Sequence, residues 1–537
     1  QGDWSSDVCS SDLKMIMKKM SKIVSLAMAA ALAAASLSMS ASADGEDKIE
    51  IAITGGGEDS MQLNTATGSY LNGLSAMRHL YEGLYKLDAN SEISLGQAAS
   101  VDVSDDKLTW TFTLRDDITW SDGQPVTAQD FIYGFDNLAA QGGDYCTILS
   151  DVAESYEAPD DKTVVIKLKQ PCAYLPSILA FPSTYPARQD YVEQYGDAYA
   201  TDPDKAVYNG PYEMESWAHE SEVVMKLRDD YYDADNIQVG TINWELITEE
   251  SSALASFESG DYVYSDMCPD EEKPRMEGNG LVYTEGDNNY CVMFNLGENG
   301  NDVLKDENVR KALSLTIDRD RIMAIRGLND EIGVTLVCRG YVNADGTDFV
   351  DYCDPWEDTS AYEENCETAK QLLADAGYAD GQGFPALKYI VNNDSRKEIA
   401  EAIVNDWKEV LGIDSITVEK VENFSAARRA GEYDLAYYGW YMDYKDLSNM
   451  YSTFINTESA NSFYHSDDYD AAYAKAVSAD TEEGQWEAYK ECDAILAKDL
   501  PVSVILHSMN TYLFNDTNYE GLVYSCGNYV FTYLKAL

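Results

Sequence analysis

The chain has 537 residues, 45% of them hydrophobic, enough for a sizeable core in more than one lobe and too many for a disordered chain. Against 38 basic side chains stand 95 acidic ones, a net charge of −57 spread along the sequence. Such a surface repels nucleic acid and anionic membrane, and no nucleic-acid partner is expected.

Residues 1–14, which begin QGDWSSDVCSSDL, look like vector or adapter read-through and are set aside together with Cys9. Residues 15–43 have the order of a secretory signal peptide. Lys18, Lys19 and Lys22 precede an apolar stretch at 23–37, and Ala41-Ser42-Ala43 supplies small residues for a cut. The apolar stretch is too short and too rich in Ala and Ser for a membrane span. No cysteine at the cut offers a lipid-attachment site. The expectation is an exported chain starting at Asp44, in the periplasmic space or at the extracellular face of the cell membrane. Cys338 and Cys353 bracket a short loop rich in Gly, Asn and Asp, which makes them the best candidates for a disulfide in such a compartment.

Farther on, apolar residues alternate at 110–114 and again at 242–246, the period of half-buried strands. Segments 164–168 and 223–227 are further strand candidates. Asp306 and Asn308 open a helix carrying Val309, Leu313 and Ile317 on one face. Ala369, Leu372, Leu373 and Ala376 mark a second helix ended by Gly377. Ile399, Ile403, Trp407 and Leu411 stripe a third, with Gly412 as its C-cap. Trp486, Tyr489 and Leu496 mark a late helix stopped by Pro501. Strand candidates at 416–418 and 502–506 complete an α/β alternation from about residue 300.

Signals for catalysis are missing. There is no GxxxxGK[ST] loop, no HExxH and no GxSxG. The four histidines, His79, His219, His465 and His507, are scattered, which argues against a metal site. No cofactor and no enzymatic activity are expected. Tyrosine is over-represented instead, with 39 Tyr and 9 Trp. A rigid apolar plate with one polar tip suits a cleft that grips varied ligands.

Residues 107–137 read KLTWTFTLRDDITWSDGQPVTAQDFIYGFDN. This closely resembles the signature of the family 5 extracellular solute-binding proteins, the group that includes oligopeptide- and dipeptide-binding proteins. Its local sense is a strand to Arg115, a turn at Ser121-Asp122-Gly123, and Thr127 capping a helix through Phe131 and Phe135. The resemblance continues at Leu80-Tyr81-Glu82-Gly83-Leu84, similar to the family's first-strand exit, and at Asn209-Gly210-Pro211-Tyr212. It extends to Asn308-Val309-Arg310-Lys311-Ala312-Leu313 with Asp318-Arg319-Asp320, to 370–378, and to YDLAYYGWYMDY at 433–444.

The resemblance implies an α/β, two-lobed fold of the type II periplasmic-binding kind with an extra subdomain inserted in the first lobe. The first lobe would comprise 44–88, 207–288 and 503–537, the insert 89–206, and the second lobe 289–502. It also implies a monomer that binds oligopeptides between its lobes and delivers them to an ABC permease. The peptide backbone would pair with 71–74, through Leu71, Asn72 and Gly73, and with Gly439, Trp440 and Tyr441. Tyr145 falls where the family places a cleft tyrosine. Arg428 matches a position that reaches a peptide carboxylate in some members. Asp443 matches the anchor for the peptide α-amino group.

Two departures stand out. Tyr437 replaces a basic residue of a close relative, so a charge for the C-terminal carboxylate is missing. Tyr441 replaces the family's cysteine after the Gly-Trp pair, which leaves Cys291 without its expected partner. Some relatives bind oligosaccharides, and the many aromatic residues keep that alternative open.

Overall fold

The computed structural model describes residues 48–537 except 327–329, 344, 457–460 and 480. The read-through segment, with Cys9, and the signal peptide lie outside the described residues.

Two strands run much farther than the local pattern indicates. Leu281–Phe294 and Val502–Phe514 lie antiparallel, from Leu281 opposite Leu513 to Met293 opposite Val502, with a break in register between Thr284 and Asn288. On one side, Tyr264–Ser265 pairs with the end of Val502–Phe514, and Ile49–Thr54, Val239–Glu245, Glu222–Leu227 and Tyr212–Ala218 follow outward. On the other, Leu435–Tyr438 pairs with Leu281–Phe294, and Leu387–Val391 and Ile416–Lys420 follow. One long sheet thus underlies a mixed α/β, two-lobed, type II periplasmic-binding-like fold. A separate sheet orders Ala98–Val103, Thr109–Leu114, Thr163–Leu168 and Ala153–Asp160, and supplies the extra subdomain.

Local chemistry accounts for most of these elements. Thr127 caps helix Ala128–Gln141 in a capping box with Asp130, whose Oδ2 accepts from Thr127 N at 2.8 Å. Helix Asp394–Leu411 buries Ile399, Ile403, Trp407 and Leu411, and Gly412 ends it at φ 72° in the left-handed region that favours glycine. The Trp407 indole donates to the Leu313 carbonyl at 2.7 Å, so this stripe is tied to helix Glu307–Leu315. Helix Glu482–Asp499 stops before Pro501 as its sequence requires.

Two local expectations are corrected. Cys353 carries a free thiol and is not joined to Cys338. It follows helix Phe349–Tyr352 and turns into the core near Asp493, where burial pushes its thiol up. Leu80 ends a helix, Leu71–Leu80, rather than a strand. The Glu82 that follows is a buried acceptor for the Tyr231 and Tyr232 hydroxyls, at 2.5 and 2.8 Å.

Candidate ligand-binding site

The segment 439–444 leaves the end of strand Leu435–Tyr438. Gly439 has no room for a side chain: a methyl group there would press on the Tyr437 hydroxyl and lie 2.9 Å from the Asn289 carbonyl oxygen. The bare backbone lets the chain turn against the long strand. Trp440 N donates to Asn289 Oδ1 at 3.2 Å, and Tyr441 bridges Asn288.

Asn449, on helix Leu447–Tyr451, then organises the turn. Its Oδ1 accepts from the Trp440 indole at 2.9 Å and from Asp443 N at 3.2 Å, while its Nδ2 faces Asp443 Oδ2 at 3.4 Å. The other carboxylate oxygen, Oδ1, accepts from the Tyr145 hydroxyl at 2.9 Å. Tyr145 is held edge-on against Phe181, with ring centroids 4.6 Å apart. Nearby, Tyr174 stacks on Tyr444 at 5.7 Å and 8°. Two segments far apart in sequence therefore close around Asp443. Burial pushes its carboxyl up to about 6, with the Tyr145 and Asn449 hydrogen bonds offsetting part of the rise. Among the described residues its hydrogen-bond partners are neutral.

A polar cavity of about 300 Å3 lies along the long strands, lined by Tyr437, Tyr441, Asn288, residues 508–511 and a group of charged side chains. Lys273 pairs with Asp270 at 2.6 Å, and Arg326 with Asp330 at 2.7 Å. Arg396 stands apart. Its guanidinium lies over the Tyr437 ring at 4.2 Å, and its buried Nε has no hydrogen-bond partner. Arg396, in the first turn of helix Asp394–Leu411, thus places a positive charge over the Tyr437 ring. Tyr437 itself is wedged between Tyr290, at 4.7 Å, and Phe424, at 6.3 Å.

Of the residues expected from the sequence, Tyr437 and Tyr441 line this cavity, while Gly439, Trp440, Asp443 and Tyr145 belong to the hydrogen-bonded turn beside it. Leu71, Asn72 and Gly73 sit in helix Leu71–Leu80, with Leu74 N donating to Tyr70 O at 2.9 Å. A helical segment offers no extended edge, so backbone pairing there is corrected; Asn72 instead places its amide beside Asp266. Arg428 does not line the cavity. It lies on helix Phe424–Arg429 near the buried hydroxyls of Tyr433 and Tyr438, and offsets part of the upward push that burial gives them. Cys291 is fully buried and its thiol is pushed up by that burial. Sequence reasoning missed Asn289, Asn449, Arg396 and Asp266. The Asn288-Asn289 pair just before an apolar run was the one local sign available.

The fold, with its polar cavity along the long strands, defines a class, the two-lobed solute-binding proteins. Residues 92–462 match the family described as Bacterial extracellular solute-binding proteins, family 5 Middle, and the chain belongs to that family. It is a binding protein, not an enzyme. The periplasmic oligopeptide-binding protein OppA of Salmonella typhimurium is 28% identical over 459 residues, spanning 81% of this chain and 83% of its own. The oligopeptide-binding protein OppA of Bacillus subtilis is 25% identical over 474 residues, spanning 83% and 85%. The crystal structure of Haemophilus influenzae OppA in complex with RPPGFSPFR superposes with a TM-score of 0.75 at 25% identity, covering 92% of this chain and 100% of that one.

Proposed function

We propose that the chain is the exported, monomeric substrate-binding component of an ABC importer, and that it captures oligopeptides in the cleft between its lobes. The lobes are assigned as 44–88, 207–288 and 503–537 for the first, with 89–206 inserted, and 289–502 for the second. Asp443 takes the peptide α-amino group, the backbone at Gly439, Trp440 and Tyr441 pairs with the peptide main chain, and Arg396 over Tyr437 takes the carboxylate end.

The observation that carries this reading is the Asp443 carboxylate, buried against neutral partners within a segment that matches the family. An α-amino group, with a reference pKa of roughly 8, is a cation that supplies the missing countercharge. A neutral sugar would leave both Asp443 and Arg396 without a charged partner, which favours peptide over oligosaccharide.

Isothermal titration with a free tripeptide and its N-acetylated form tests the reading. Acetylation is expected to cost about 2–5 kcal/mol, the range for leaving a buried charge without its partner. Equal binding of the two forms would overturn it.

A further inference from the structure

Resting on the peptide-binding reading, a further role follows from the formal charges that line the cavity or lie just beside it. Lys273 with Asp270 and Arg326 with Asp330 are neutral pairs. Asp443 and Arg396 are one uncompensated charge of each sign. A further acid is left over. Asp266 directly follows strand Tyr264–Ser265, which runs parallel to Ile49–Thr54 and ends beside it. In open α/β sheets ligands collect outside the carboxyl ends of the strands. Asp266 and Gly55 occupy those ends, and the first turn of helix Leu71–Leu80 meets them there. A methyl group on Gly55 would lie 3.1 Å from both Asn72 Oδ1 and Asp266 Oδ2. Asp270 and Lys273, four and seven residues beyond Asp266, already line the cavity.

The Asp266 carboxylate is poorly answered by its surroundings. Its Oδ1 is buried with no hydrogen-bond partner. Burial pushes its carboxyl up to about 6, the Asn72 amide offsets part of this, and Glu250 adds repulsion. The adjoining helix start supplies only about half an elementary charge. Among the described residues no cation pairs with it; Asn72 and its own backbone amide are what hold it down.

We propose that Asp266 is a specificity-determining residue that receives a cationic side chain of the ligand, so that the preferred peptide carries one lysine or arginine besides its two termini. Two cations and one carboxylate on the ligand then match Asp266, Asp443 and Arg396 one for one. The chain's net charge of −57 acts in the same direction, because it raises the local concentration of cationic peptides and speeds their capture at low salt.

The test is titration of Lys-Ala-Ala, Ala-Lys-Ala and Ala-Ala-Lys against the same peptides with norleucine in place of lysine, which keeps the aliphatic length and removes the charge. At one position lysine should bind about tenfold more tightly or better, the scale of a single desolvated charge pair. That preference should vanish in Asp266→Asn and persist in Asp266→Glu. Equal binding of lysine and norleucine peptides at all three positions overturns the inference. So does a preference that survives Asp266→Asn. If no peptide of the series binds the wild-type protein, it is the peptide-binding reading itself that fails. Thermal melts of the variants report on folding, and if Asp266→Asn does not fold, Asp266→Ser takes its place as the variant in which the preference should vanish.

Discussion

Acidification should release the ligand, with a midpoint set by Asp443. Its carboxyl lies at about 6 in the ligand-free protein. At pH 7 it is therefore roughly 90% ionised, and at pH 5 roughly 10%. The peptide amino group, at roughly 8, stays protonated over this interval. Only the carboxylate form offers a countercharge, so the bound state holds fewer protons than the free state. Binding is thus disfavoured as pH falls through about 6, and affinity should drop about tenfold, or about 1.4 kcal/mol, between pH 7 and pH 5. A lysine-free tripeptide isolates the effect from Asp266. Titration in buffers of different ionisation enthalpy should register close to one proton released per peptide at pH 5. Tyr145→Phe removes a hydrogen bond that holds the carboxyl down, so it should move the midpoint to higher pH. Affinity that stays flat from pH 5 to pH 8, or a pH dependence unchanged in Asp443→Asn, would refute the reasoning.

Arg396→Gln should weaken binding of a peptide with a free carboxylate by about 1–3 kcal/mol while leaving its C-terminal amide little affected, as read by titration of the two forms. An unchanged preference for the free acid would remove Arg396 from the carboxylate end. Gly439→Ala should cost about 1–3 kcal/mol of stability, because the added methyl presses on Tyr437 and the Asn289 carbonyl; denaturant unfolding measures it.

Features with local causes were legible in the sequence. The Thr127 cap, the stripe from Ile399 to Leu411 and its Gly412 terminus depend on residues within a few positions of one another, and each is found as read. Family resemblance supplied what local pattern does not carry, namely the two-lobed architecture. It also misled at Leu71, Asn72 and Gly73, since a matched position transfers a neighbourhood and not a backbone conformation; here the first turn of a helix occupies it. No strand was expected at Leu281–Phe294, because the polar Asn288 and Asn289 interrupt any alternating pattern; they are held in the strand by pairing with Ser508 and His507 of Val502–Phe514. Asp266 and Arg396 become notable only once distant segments surround them. A sequence with 95 acids gives no reason to single out one.

The placement of Val502–Phe514 in the sheet has a consequence for the order in which the protein is made. This strand lies between Leu281–Phe294 and Tyr264–Ser265, so it joins the two halves of the sheet, yet it follows both of them by roughly two hundred residues or more. A polypeptide emerging N-terminus first has Tyr264–Ser265 and the whole of Leu281–Phe294 in place long before their shared neighbour arrives. For the synthesis of some two hundred residues both strands present open backbone edges, the geometry that invites pairing with other chains. Completion of the sheet is therefore a late, non-local event with a large loop to close. The high negative charge carried throughout the chain keeps unfinished molecules apart during that interval.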